Sequence, residues 1–240
     1  MPEHLSRKEL KQDKIHDAIE HGAEAVFSHS QAAAILVSVV IAVVLVYGGW
    51  KLYNDRQTLH ASAALDEGMK VYYAPIRQAG QPADASEVTY SDVQSRAQAA
   101  SSKFAAIADK YPSTNPGKLA RYYQAVTLLD VEKQNQALEE LKKVVGGSDK
   151  ELSAMAQYQM ATIYARSGKT DDAAKTYRAL ADQKSVLVPR PLVLLELADL
   201  LSQSKPAEAT TIYQQIKKDY PGSTVSERAD RGLDLLAPKS

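Results

Sequence analysis

Two patterns of apolar residues divide this chain. From residue 32 to 50 it runs AAAILVSVVIAVVLVYGGW, without a charge. As a helix rising about 1.5 Å per residue, this run covers the roughly 30 Å of a bilayer's hydrocarbon. Tyr47 and Trp50 stand at its end, where amphipathic rings favour the headgroup level, and Lys51 can snorkel beyond. A core helix of this length carries a polar face, and here only Ser38 interrupts. A signal peptide has a short leader and small residues after its apolar run; here about thirty residues precede it and KLYNDRQ follows. The run therefore reads as a retained membrane anchor.

Beyond it the apolar residues recur in phase. Segments starting at Arg96, Asn135, Thr170 and Lys205 each place a small residue, a bulky one four later and an apolar one three further. The small positions are Ala100, Ala137, Ala173 and Ala209. The bulky ones are Phe104, Leu141, Tyr177 and Tyr213, and the third set is Ile107, Val144, Leu180 and Ile216. Four-then-three spacing puts each trio on one helix face. A second helix precedes the last three, with Ala125, Ala161 and Ala198 as small positions and Leu128, Tyr164 and Leu201 three later. Small residues let paired helices approach, and Gly168 sits where the first helix of the central copy must stop. Residues 225–236 predict one more helix that caps the stack, and 58–73 predict a helix leaving the membrane. Residues 74–94, with Pro75, Gly80 and Pro82, read as a loop that splits the first pair.

This repeat resembles the tetratricopeptide repeat, with Met160-Ala161, Tyr164, Gly168, Ala173 and Tyr177 as the clearest copy. The copy before it has Leu141 where an aromatic is usual, and the last has Lys205-Pro206 near the place of the turn glycine. The expected fold is all-α: one transmembrane helix, then a tetratricopeptide-like α-solenoid of antiparallel helix pairs. Its parts are a tail at 1–30, the membrane helix at 31–50, a connecting helix and loop at 51–95, and the repeat domain with its cap at 96–240. In the tail, Leu10, Ile15, Ala18, Ile19, Ala23 and Val26 predict an amphipathic helix within 6–27, interrupted at Gly22.

Composition narrows the chemistry. Twenty-nine basic and twenty-nine acidic residues cancel, so nothing draws the chain to nucleic acid. There is no cysteine, which excludes disulfides, thiolate metal sites and a lipoprotein anchor. His4, His16, His21 and His29 lack the spacing of a ligand set and read as solvated. Ser167-Gly168-Lys169-Thr170 ends like a phosphate-binding loop, but Ile163 stands where that loop needs its first glycine. No catalytic motif appears and no cofactor is expected; the chain reads as a binder, not an enzyme.

Tail, single anchor and degenerate repeats together resemble the YfgM-like family of ancillary Sec translocon subunits. That resemblance implies a cytoplasmic N-terminus, a periplasmic repeat domain in the bacterial inner membrane, and partners among the translocon, secreted clients or periplasmic chaperones. Charge alone leaves the orientation open, since Lys51 and Arg56 lie close to one end of the span and only Lys14 near the other. The repeat resemblance also implies that first-helix residues line a concave peptide-binding face. The rows are Leu119, Met155 and Leu192; Tyr122, Tyr158 and Leu195; and Val126, Thr162 and Asp199. Of these, Leu119, Tyr122, Val126, Met155, Tyr158, Thr162, Leu192 and Leu195 are the expected contact residues. The face would be apolar, with little fixed charge, suited to extended or helical apolar polypeptide and anchored by Tyr122 and Tyr158. The alternative is a scaffold subunit holding an inner-membrane complex together. The sequence sets no oligomeric state.

Overall fold

The computed structural model describes residues 30–77 and 88–237, with side chains from residue 34. The tail helix expected within 6–27 lies outside them. Nine helices occupy the described residues: α1 Ser30–Tyr72, α2 Val93–Lys110, α3 Asn115–Asp130, α4 Gln134–Val145, α5 Lys150–Arg166, α6 Thr170–Ala181, α7 Arg190–Leu201, α8 Pro206–Asp219 and α9 Thr224–Leu236. The architecture is the expected all-α one. The chain divides into two units, Met1–Arg56 and Gln57–Ser240, and α1 runs through the boundary.

In the first unit α1 exposes its large apolar side chains, from Ile35 at 64% to Val46 at 73%. The Ser38 hydroxyl donates to the Ala34 carbonyl 2.8 Å away, so the lone polar group of the run is satisfied within the helix. Among the described residues this is the one helix long and apolar enough to cross a membrane.

The second unit holds the helix pairs. Residues 57–72 of α1 pair with α2, then α3 with α4, α5 with α6 and α7 with α8, and α9 closes the end against α7 and α8. Seven alanines of the repeat, Ala100, Ala125, Ala137, Ala161, Ala173, Ala198 and Ala209, are all fully buried, as close helix approach requires. Phe104, Leu141, Tyr177 and Tyr213 are buried as completely, at 2% exposure or less. In the first pair the small position is Gly68, against which the Phe104 ring packs so closely that a Cβ there would lie 2.8 Å from Cε1.

Helix ends follow local chemistry. Asp92, Thr114, Asp149 and Ser223 accept the backbone N–H groups that open α2, α3, α5 and α9. Gly168, at φ +72°, ends α5: its N–H donates to Ala165 and that of Lys169 to Tyr164, the paired bonds of a left-handed stop. One repeat earlier Glu132 takes the same role at φ 59° without being glycine. Arg121 ties three helices, with Nη1 2.6 Å from Glu140 and Nη2 3.2 Å from Asp109. The split between α1 and α2 is closed where Arg77 N–H donates to Tyr90 and Tyr90 N–H to Pro75. Residues 78–87 of that expected loop lie outside the described residues.

Candidate functional site

First helices of successive pairs adjoin one another on one side of the stack. Gln159 of α5 reaches Tyr122 of α3, its Nε2 donating across 3.4 Å. Where α3 and α5 begin, Leu65 of α1, Leu119 of α3, Leu152 and Met155 of α5, and Leu187 line an apolar groove of about 310 Å³. Leu119 and Met155 are two of the sequence-derived contact residues, and the fold brings them together.

Leu187 belongs to the connection between α6 and α7, which is held by a carboxylate. Glu151, in the first turn of α5, accepts the backbone N–H groups of Leu187 at 3.0 Å and Val186 at 3.1 Å and the Ser185 hydroxyl at 2.7 Å. Ser185 in turn accepts the N–H of Val188. The result is a fixed rim on which Val186 is 82% and Leu187 60% exposed. The Leu187 N–H, with the Ser185 hydroxyl and the Val186 N–H, holds the Glu151 carboxyl below its usual range. A depressed folded-state value means that the tether is complete above the ordinary carboxylate range and is lost as pH falls through the lowered one. The amide resonances of Val186 and Leu187 should therefore titrate together, with a midpoint below the 4.5 of an ordinary glutamate. A midpoint at or above that value would mean that Glu151 does not hold the loop.

The other expected contact residues divide by burial. Val126, Tyr158, Thr162 and Leu192 are half-buried and reach the surface. Tyr122 and Leu195 do not: Tyr122 is 7% exposed beneath Gln159, and Leu195 is fully buried among α7 and its neighbours. Equal register puts a residue on the same helix face, but the helix packed over that face decides whether it stays open. Tyr158 lies edge-on to Tyr177 at 6.1 Å, and burial, reinforced by the Glu196 carboxylate, pushes its hydroxyl up to about 12.

The position one residue after each small residue meets the bulky residue of its partner helix. Thr162 Oγ1 and the Tyr177 hydroxyl are 3.3 Å apart, and the Tyr213 hydroxyl donates to Asp199 at 2.5 Å. Val126 faces the cluster that contains Leu141, so polarity is matched copy by copy. Asp199 also meets Arg228 of α9 at 3.3 Å, and Glu196 is 4.0 Å from the same guanidinium. This corrects the expectation of little fixed charge: the face is apolar toward α1, α3 and α5 and charged toward α7 and α9. Glu196 falls in a row two before the small residue, with Tyr123 and Gln159, which the sequence reading did not take. Leu65 and Leu187 were also missed. Leu65 lies before the split in the first pair, and the only cue to Leu187 is the apolar run Val186-Leu187-Val188 between Ser185 and Pro189. Among the described residues no group of His, Asp or Glu could hold a metal ion.

Comparison with known proteins places this geometry. Residues 27–188 match a tetratricopeptide repeat-like domain, and residues 192–223 match a tetratricopeptide repeat. No curated protein and no solved structure matches the chain.

Proposed function

Because this chain belongs to the tetratricopeptide repeat-like domain family, we propose that it is a membrane-tethered adaptor or chaperone helper. It meets polypeptides emerging from the Sec translocon at the periplasmic face of a bacterial inner membrane. Tetratricopeptide repeats are protein-binding modules, and the apolar helix of residues 34–50 supplies the tether. The reading rests on one observation, the open apolar groove over Leu65, Leu119, Met155 and Leu187 with its fixed rim. A bulky apolar side chain buried there gains about 1.5–3 kcal/mol, and most of a short segment's gain is offset by the freedom it loses. Such a site binds weakly and accepts many sequences, as contact with passing chains requires. Orientation follows from the resemblance to the YfgM-like family.

The test has two steps. A phosphatase fused after Ser240 should be active while a fluorescent cytoplasmic reporter stays dark; the reverse result sinks the periplasmic placement. The full chain in lipid nanodiscs should then bind an unfolded secretory protein, and Met155→Gln with Leu187→Gln should weaken that binding about tenfold or more with melting unchanged. Unaltered binding would remove the groove from the account. A single folded partner, with no affinity for unfolded chains, would favour the scaffold.

A further inference from the structure

The long helix carries a second pattern within its apolar run and beyond it. Leu45, Leu52 and Leu59 of α1 stand seven residues apart, and Ala42, Gly49, Arg56 and Ala63 alternate with them at steps of three and four. That 3.5-residue period is the seam along which two helices supercoil. All seven residues are exposed, the leucines at 69%, 66% and 70%. The bilayer accounts for this at Ala42, Leu45 and Gly49, within the run read as the anchor. It does not account for Leu59, which stands nine residues past Trp50 and so about 13 Å further along the helix. A leucine in water, in phase with those of the anchor, marks a face that meets another helix.

The packing of the repeat domain leaves this face open. Ala61 and Gly68 share the place opposite the seam, and both are buried against α2, in the cluster of Phe104 and Ile107. Leu65, which lines the groove, also falls off the seam, two residues after Ala63. Asp66 and Lys70 take the next two places of the period, with Lys70 paired to Glu67 at 2.6 Å, so the apolar seam ends at Ala63.

Charge says what covers it. In two parallel helices in register, the residue just before each small-residue place flanks that place on the opposite helix. Arg56 holds one such place and Asp55 precedes it, so Arg56 of each copy meets the partner's Asp55, twice by symmetry. Copies of a single-span chain inserted alike lie parallel in one bilayer. Ala42 and Gly49 let their backbones approach closely, which packing within lipid requires. We propose that α1 pairs with the α1 of a second copy of this chain, in parallel and in register, along the seam from Ala42 to Ala63. The pairing rests on the reading of α1 as a membrane anchor and is separate from what the groove binds.

The chain has no cysteine, so single introduced cysteines test the pairing of the full protein in intact membranes. A disulfide needs Cα atoms about 4.4–6.8 Å apart, a distance paired helices offer along the seam and not on their outer faces. With cysteines placed one at a time from Lys51 to His60 and then oxidised, linked dimer should peak at Leu52→Cys, Arg56→Cys and Leu59→Cys. It should be least at Lys51→Cys, Asn54→Cys and Thr58→Cys. Arg56→Glu should cut the Leu52→Cys yield about threefold, and adding Asp55→Arg should restore it. Yields that are uniform, absent throughout, or highest on the outer face would overturn the pairing. A periodic yield that the charge exchange fails to restore would overturn the parallel register. Recovery of the chain outside the membrane fraction would overturn the anchor instead.

Discussion

Phe104→Ala is expected to destabilise the repeat domain by about 3–5 kcal/mol, and Gly68→Val by about 2–3 kcal/mol. Phe104 is fully buried, and its ring edge fills the space where Gly68 has no side chain. Removing the ring leaves a cavity between α1 and α2. Adding a valine drives two methyl groups toward Phe104 and the Ile107 side chain, whose Cδ1 lies 3.3 Å from where a Cβ would begin. The two losses share one space, so the double substitution should cost at least about 1 kcal/mol less than their sum. Denaturant unfolding of the full chain in micelles, followed by circular dichroism, measures all four corners of the cycle. Strict additivity would mean that residues 57–72 do not pack as the first helix of the first pair.

That pairing is where the sequence was hardest to read. From α3 onward each pair repeats at nearly constant spacing, so Ala125, Ala161 and Ala198 could be aligned with one another and then found fully buried. In the first pair the split between α1 and α2 breaks the phase, and Gly68 carries no marker beyond its identity. Gly168 was legible because glycine at a helix end announces a left-handed residue. Glu132 was not, because its φ of 59° is imposed by the same turn on a side chain that gives no sign of it. The long apolar run was legible from composition alone, since nothing in the described structure covers it. The groove was half legible. Register identified Leu119 and Met155, but Leu65, Leu187 and the Glu151 tether depend on contacts between residues far apart in sequence, which periodicity does not carry.

The same limit separates Leu195 from Leu192, and substitution should expose it. Both were expected on the binding face. Leu195 is fully buried in the cluster that α7 shares with α8 and α9, whereas Leu192, three residues earlier, is half-exposed. Leu195→Ala should therefore cost about 2–5 kcal/mol, since it removes buried methyl groups from a place the capping helix keeps closed. Leu192→Ala should cost less than about 1 kcal/mol, because water already reaches that side chain. Tyr158 makes the comparison sharper. It holds the same repeat position as Leu195 one pair earlier and stays half-exposed, because the helix that follows, α7, leaves its edge open while α9 closes over α7. Equal melting temperatures for Leu195→Ala and Leu192→Ala would mean that α9 does not cap the stack. Leu195 would then rejoin the binding face, where its loss should weaken polypeptide binding without loosening the fold.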